Sequence, residues 1–146
     1  MKPKDFLAKL DDDRVVAAIQ AAERGTSGEI RVFVSSRALR GDDVQARAEA
    51  RFVKLGMHAT TDRNGVLFYF IPRDRKFAIV GDRGIHEKCG ANFWAEIAAA
   101  LHGRLAKGEF VEGVVEAIGR AGAALAGHFP RRPDDRNELP DAIERD

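Results

Sequence analysis

The stretch Asn64-Gly-Val-Leu-Phe-Tyr-Phe-Ile-Pro-Arg-Asp-Arg-Lys-Phe-Ala-Ile-Val-Gly-Asp82 decides the fold of this chain. It holds two short apolar runs, residues 66–71 and 77–80, which are rich in aromatic and β-branched side chains and are joined by the polar segment 72–76. That pattern predicts a β-hairpin. The first run is apolar at every position, which is typical of a strand covered on both faces inside an α/β sheet. With a tight turn, the numbers of paired residues sum to about 147, and Asn64 is expected close to Asp82.

Three polar segments are expected to meet at one end of the sheet. A strand at 29–36 and a helix from about 42 to 57 precede the hairpin, so the first two strands form a parallel pair with a right-handed helical crossover. The third strand returns antiparallel to them, which makes the sheet mixed. The two parallel strands begin after residues 26–29 and 62–65, and the antiparallel strand ends at 81–84. These three segments therefore share one end.

Helices around this sheet make the chain an α/β protein. Apolar residues at helical spacing predict further helices at 11–24, from Asn92 to about 106, and at 109–127. Asn92 is expected to cap its helix. Residues 29–36 alternate between apolar and polar, which predicts a half-buried strand nearer the sheet edge than the hairpin. Glycines inside the last helix are expected where it packs closely against another element; they are Gly113, Gly119 and Gly122.

Length and composition indicate one globular domain. The 146 residues are 45% hydrophobic and 32% charged with a net charge of +1, so no basic surface for nucleic acid or an anionic membrane is expected. The N-terminus lacks the apolar core of a signal peptide, and no run approaches the ~20 apolar residues of a membrane span. We therefore expect a cytoplasmic protein without direct membrane insertion. The folded domain is expected to span residues 1–129, followed by a disordered charged tail at 130–146.

Several common types of reactive site are not indicated. The single Cys89 forms no internal disulfide and has no metal-ligand spacing, and the four histidines are scattered. The segment 73–76 is interpreted as a solvated hairpin tip, with anion binding as the alternative. Ser27, Ser35 and Ser36 have no histidine partner near them in sequence.

The end of the sheet where the three segments meet is the best candidate site. Carboxylates and amides on loops are hard oxygen ligands, which suit Ca²⁺, or Mg²⁺ with more water. The alternative is that these residues only form turns and that Glu29 pairs with a neighbouring arginine. The candidate metal ligands are Glu29, Asp62, Asn64, Asp82 and Glu87.

The order and spacing of five segments resemble the TPM domain family, which is named after a thylakoid lumen protein, a photosystem II repair protein and a nematode receptor modulator. The similarity runs from about residue 6 to residue 127, and is greatest to the short bacterial members. The segments are Thr26-Ser-Gly-Glu-Ile-Arg-Val32, Asn64-Gly-Val-Leu67, Asp74-Arg-Lys76, Gly81-Asp-Arg-Gly-Ile85, and Gly108-Glu-Phe110 with Gly113.

This resemblance implies a three-layer α/β/α sandwich with helices on both faces of a small mixed sheet. It also implies divalent metal binding, calcium especially, near the acidic positions named above, and the acid phosphatase activity of plant members. Asp82 and Arg83 are then the candidate catalytic residues. Because bacterial relatives are often encoded beside membrane proteins of the LemA type, a membrane-associated protein partner is also implied.

Three functions remain open at this point. The first is a small domain that binds a divalent cation through acidic loops and acts through a protein partner. The second is a metal-assisted phosphatase acting on phosphomonoesters, in which the cation polarises a phosphoryl oxygen and Arg83 or Lys88 meets the phosphate charge. The third is a structural partner domain that binds no ligand.

Overall fold

A mixed four-stranded sheet forms the middle layer of the protein, whose computed structural model describes residues 2–10, 12–131 and 143–146. Its strands are β1 (Glu29–Val34), β2 (Gly65–Ile71), β3 (Lys76–Gly81) and β4 (Glu144–Arg145), in the spatial order β3-β2-β1-β4. β1 runs parallel to both β2 and β4, whereas β2 and β3 are antiparallel. The helices are α1 (Pro3–Leu10), α2 (Asp12–Glu23), α3 (Val44–Lys54), α4 (Arg83–Cys89), α5 (Ala91–Ala106) and α6 (Phe110–His128).

The hairpin of β2 and β3 has the predicted register. Val66 pairs with Gly81 and Ile71 pairs with Lys76, so the paired numbers sum to 147 at both ends. All seven residues of β2 are buried, which confirms that this apolar strand is covered on both faces. The turn is a short 3₁₀ segment, Pro72–Asp74, closed by Arg75 in the left-handed region at φ 53°.

The predicted three-layer sandwich is confirmed by the two apolar cores on either side of the sheet. On one face, Phe52 of α3 and Met57 pack with side chains of β1 and β2 such as Phe33 and Tyr69. The other face lies under the remaining helices, and its core includes Leu10, Ile19, Ile97, Val114 and Ile118 against Val32, Val66 and Phe68.

The prediction that the first strand is half-buried and near the edge is wrong. All six residues of β1 are buried. α3 covers the face of the strand that carries Arg31 and Phe33, and β4 lies along its outer side. Arg31 is buried within this strand and forms an ion pair with Glu144 of β4. The described edge on the hairpin side is β3, whose residues are mostly half-buried.

Several helix predictions also need correction. The polar sequence of residues 82–90 predicts a loop with at most one helical turn, whereas the structure forms α4 there, and α1 was not expected at all. Gly90, at φ 80°, precedes α5, so Asn92 lies inside the helix and does not cap it. A Cβ at Gly122 would lie 2.6 Å from the Ala22 Cβ, and one at Gly113 would lie 2.7 Å from the Arg104 Cβ, as expected for close packing. Gly119 has no atom within 4 Å of its Cβ position, so that expectation is wrong there.

The predicted disordered tail falls mostly outside the described residues. Residues 132–142 are not among them, and the prediction for that stretch stays a prediction. Pro130 forms an isolated antiparallel bridge with Thr26, and Glu144–Arg145 form β4 beside β1. None of the helices in the described part of the chain has the length and apolar composition that crossing a bilayer requires.

Candidate cation site at the amino end of the parallel strands

Four of the five predicted ligand residues lie at the same end of the sheet. Glu29 pairs with Gly65 across β1 and β2, and the Asp82 backbone N–H donates to the Gly65 carbonyl oxygen at 2.9 Å. Neighbouring strands are about 4.8 Å apart, so Glu29 and Asp82 are separated by about 10 Å along this row. Asn64 and Asp62 directly precede β2. The chain directions read from the sequence therefore bring these segments together, while their role as ligands stays a prediction.

Ser27 joins the loop before β1 to the loop before β2. Its hydroxyl donates to Asp62 Oδ2 at 3.2 Å and accepts from Asn64 Nδ2 at 3.2 Å. The Ser27 backbone N–H donates to the carbonyl oxygen of Phe129 at 3.0 Å, and the Thr26 hydroxyl donates to that same carbonyl. The end of α6 thus holds Ser27 in position to connect Asp62 and Asn64.

Asp82 forms a bidentate ion pair with Arg63. The Arg63 Nε lies 2.7 Å from Asp82 Oδ2, and its Nη2 lies 2.9 Å from Oδ1. The Arg83 backbone N–H donates to Oδ1 at 2.8 Å, so Asp82 also caps α4. The hydrogen bonds that the Arg63 guanidinium donates to the Asp82 carboxylate raise the pKa of Arg63, against a smaller opposing effect of burial. Both oxygens of the Asp82 carboxylate, whose side chain is 5% exposed, are therefore engaged.

Gly84 allows α4 to approach the loop that carries Asp62 and Arg63. Its backbone N–H donates to the Arg63 carbonyl oxygen at 2.9 Å. A Cβ at Gly84 would lie 2.3 Å from the carbonyl oxygen of Asp62 and 2.5 Å from that of Arg63, too close for any side chain. Arg63 itself adopts the left-handed conformation at φ 51°. The glycine is therefore required for the contact between Asp82 and Arg63.

The remaining predicted residues are placed less favourably. Glu29 is buried at the start of β1, and Met57 and Phe52 fill the space above Gly65, between Glu29 and Asp82. Glu87 is exposed on α4, and no hydrogen bond or ion pair to it occurs among the described residues. Within residues 2–10, 12–131 and 143–146, no three His, Cys, Asp or Glu side chains are arranged as a metal site.

Two residues that organise this end of the sheet, Ser27 and Arg63, are not among the predicted ligands. The sequence suggests Ser27 only as a nucleophile, although a serine in the loop before a strand is a natural hydrogen-bond partner for a neighbouring loop. Arg63 was not singled out. The pairing of residues that sum to 147 places Arg63 opposite Gly84, two residues from Asp82, and this signal is sufficient to suggest the ion pair.

Comparisons with known proteins agree with the fold and the order of the motifs. BA42 from the psychrophilic bacterium Bizionia argentinensis is 39% identical, with a TM-score of 0.83, and the alignment covers 92% of each chain. Two solved N-terminal domains are 15% identical and share the fold. One is from the cg2496 protein of Corynebacterium glutamicum (TM-score 0.59, 77% of this chain and 70% of that one), and the other is from P. gingivalis (0.65, 90% and 98%). No curated protein matches the chain.

The family comparison covers most of the folded part of the chain. The model of the TPM domain matches residues 1–124, which include β1, β2, β3, and the loops that carry Ser27, Asp62 and Asp82. The match and the similarity to BA42 confirm the resemblance noted in the sequence. This chain belongs to the TPM domain family.

Proposed function

We propose that this TPM domain binds a divalent cation, Ca²⁺ foremost, at the amino end of the parallel strands and acts through a protein partner. The observation that carries the proposal is the hydrogen-bonded link from Asp62 through Ser27 to Asn64. It holds a carboxylate, a hydroxyl and an amide from two separate loops within reach of one another. These are the hard oxygen groups that Ca²⁺ and Mg²⁺ prefer.

Asp82 fits a cation site only if Arg63 moves away. A carboxylate whose two oxygens are both held by an arginine and a helix N-terminus has little capacity left for a metal. In this arrangement the Arg63 guanidinium is the internal counter-ion of Asp82. A divalent cation held by Asp62, Asn64 and Ser27 would compete with it, so we expect weak affinity in the wild-type protein.

The test is a thermal melt with Ca²⁺, Mg²⁺ or a chelator. A ligand that prefers the folded state raises the melting temperature by mass action. We expect Ca²⁺ in millimolar excess to raise it in the wild type and to raise it more in Arg63→Asn. Asparagine tolerates the left-handed backbone at this position. Its neutral amide, unlike the Arg63 guanidinium, does not compete as a positive charge with the cation for Asp82.

Two acid-to-amide variants provide a matched pair for this experiment. Asp62→Asn should lose most of the Ca²⁺-dependent increase because it removes a charged ligand. Asp42→Asn should keep it, since Asp42 is exposed in the loop before α3, at the other end of β1. If neither Ca²⁺ nor Mg²⁺ changes the melting temperature of the wild type or of Arg63→Asn, cation binding is contradicted. That result would favour a structural domain that binds no ligand.

The partner is the second part of the proposal. The family resemblance implies a membrane-associated protein of the LemA type, and a cation-dependent domain would bind it differently with Ca²⁺ and with chelator. Equal recovery of a purified LemA-type protein in both conditions would count against a cation-controlled interaction.

A metal-assisted phosphatase is the alternative, and the position of Arg83 favours it. Arg83 is exposed at the first residue of α4, beside Asp82, where its guanidinium is available to a phosphate. A cation bound there would neutralise charge on the phosphoryl group. Hydrolysis of a phosphomonoester that requires Ca²⁺ or Mg²⁺ and is lost in a folded Asp82→Asn variant would support this alternative; activity retained in that variant would exclude Asp82.

A further inference from the structure

A second polar cluster lies at the opposite end of β1, where Ser35 and Ser36 follow the strand. The carboxylate of Asp146, directly after β4, accepts three hydrogen bonds there. They come from the Ser35 hydroxyl at 2.7 Å, the Ser36 backbone N–H at 2.6 Å and the Ser36 hydroxyl at 2.8 Å. Arg51 Nη2 lies 3.9 Å from the same carboxylate, whose side chain is only 15% exposed.

The hydrogen bonds around Ser35 oblige its hydroxyl to donate. The Arg37 backbone N–H at 3.2 Å and the Arg47 guanidinium at 3.3 Å both donate to the Ser35 oxygen. Because neither group can accept, the Ser35 proton is directed to Asp146. Among the residues that the structure describes, the groups that contact the Asp146 carboxylate are hydrogen-bond donors or carry a positive charge. A cluster of this kind selects an anion.

An arginine-lined cavity adjoins the two serines. Its volume is about 630 Å³, within the range of sites for small organic ligands. Its walls include Ser36, Arg37, Arg40 and Arg73. None of these three arginines forms an ion pair among the described residues; Arg73 Nε donates to the Ser36 carbonyl oxygen at 2.8 Å and so orients the guanidinium beside the serines. The nearest acid on the hairpin, Asp74, accepts from the Leu39 N–H.

The position in the sheet supports the same conclusion. In the order β3-β2-β1-β4, β2 lies on one side of β1 and β4 lies on its other side, and the chain passes from β1 to β2. The carboxyl ends of the parallel strands β1 and β4 therefore flank the point where the strand order reverses. Open α/β sheets generally bind ligands in this crevice.

We propose that Ser35, Ser36 and the neighbouring arginines form a binding site for a phosphate-class oxyanion, which the carboxylate of Asp146 occupies as an internal competitor. The serine N–H and hydroxyls hold the oxygens, and arginines supply the charge and the bidentate geometry that phosphate favours. The cavity accommodates the organic part of a small phosphomonoester. This serine–arginine site is about 20 Å along β1 from the cation site, so it does not depend on the proposed function.

The decisive comparison is between the wild type and Asp146→Asn, titrated with inorganic phosphate and monitored by melting temperature and by the amide signal of Ser36 in ¹H–¹⁵N spectra. A tethered carboxylate competes at an effective concentration in the millimolar range. We expect the apparent Kd for phosphate to fall at least tenfold in Asp146→Asn. Sodium chloride at equal ionic strength should not reproduce the shift of the Ser36 signal.

Further variants and ligands identify the site and its ligand. Ser35→Ala in the Asp146→Asn background should abolish the response, whereas Thr61→Ala, an exposed position in the loop before β2, should leave it unchanged. If glycerol 3-phosphate binds more tightly than inorganic phosphate, the cavity holds the organic part of a phosphomonoester. If the two bind equally, the site recognises the phosphate group alone. Acetate binding as tightly as phosphate, or a Ser36 signal that no phosphate concentration moves in either protein, would overturn the proposal.

Discussion

The two ends of β1 both hold a buried or largely buried carboxylate, but they hold it in different ways. At the amino end, Asp82 lies between Arg63 and the N-terminus of α4, on segments that the hairpin and Gly84 hold together. At the carboxyl end, Asp146 is held by two serines and follows a strand of two residues. The first arrangement forms part of the architecture, whereas the second resembles a ligand in its site. The way in which a carboxylate is connected to the rest of the chain therefore decides whether it supports the fold or occupies a site.

The largest expected effect tests how rigid the amino end is. Gly84→Ala should destabilise the protein by about 3 kcal/mol, because the methyl group would overlap two backbone carbonyl oxygens that cannot rotate away. The matched control is Gly103→Ala in α5, where no atom lies within 4 Å of the Cβ position and alanine should stabilise the helix by up to about 1 kcal/mol. Chemical denaturation measures both. Equal midpoints for the two variants would show that the close approach of α4 is not essential.

A smaller difference is expected between the contributions of the two carboxylates to the free energy of unfolding. Asp82→Asn should lower the free energy of unfolding by about 2 kcal/mol, since it removes charge from a bidentate pair and from a helix cap. Asp146→Asn should lower it by about 1 kcal/mol or less, because β4 is short and the asparagine oxygen still accepts hydrogen bonds. Denaturation curves with unchanged slopes give both values. A larger loss in Asp146→Asn would reverse the distinction between the two ends.

The smallest effect is the pH dependence at the carboxyl end. Burial alone would raise the pKa of Asp146, but the hydrogen bonds from Ser36 and Ser35 and the charge of Arg51 outweigh it and hold that pKa below its usual value. The contact therefore stabilises the folded state fully above pH ~4 and loses this contribution as the pH falls through the lower folded value. The difference in stability between the wild type and Asp146→Asn should shrink below pH 4. A difference that stays constant down to pH 2 would mean that the charge of Asp146 contributes nothing.

Features that depend on residues close together in the chain were predicted, whereas side-chain contacts with distant residues were not. The hairpin register and the burial of β2 depend on local patterns, and both were predicted. The position of β1 was mistaken because its polar residues are satisfied by distant groups. Arg31 looked solvent-facing in the alternation, yet it is buried against Glu144, which is 113 positions away in the chain.

For the candidate site, the sequence placed the right segments at one end but not the contacts between them. Asp62, Asn64 and Asp82 follow from strand direction alone. The pairing of Asp82 with Arg63 depends on a left-handed residue and a glycine that meet only when the loops fold. Composition cannot distinguish an acid that is free for a cation from one already held by an arginine.

Periodicity and motif spacing along the chain are enough to predict the hairpin, the direction of the first three strands and the family. Three features arise only when the layers pack together: β1 is an inner strand, Arg63 holds Asp82, and Asp146 lies among serines and arginines. The physical reason is that a charged side chain has no preferred partner along the chain. Its role is set by which groups the packed layers bring within about 3 Å of it.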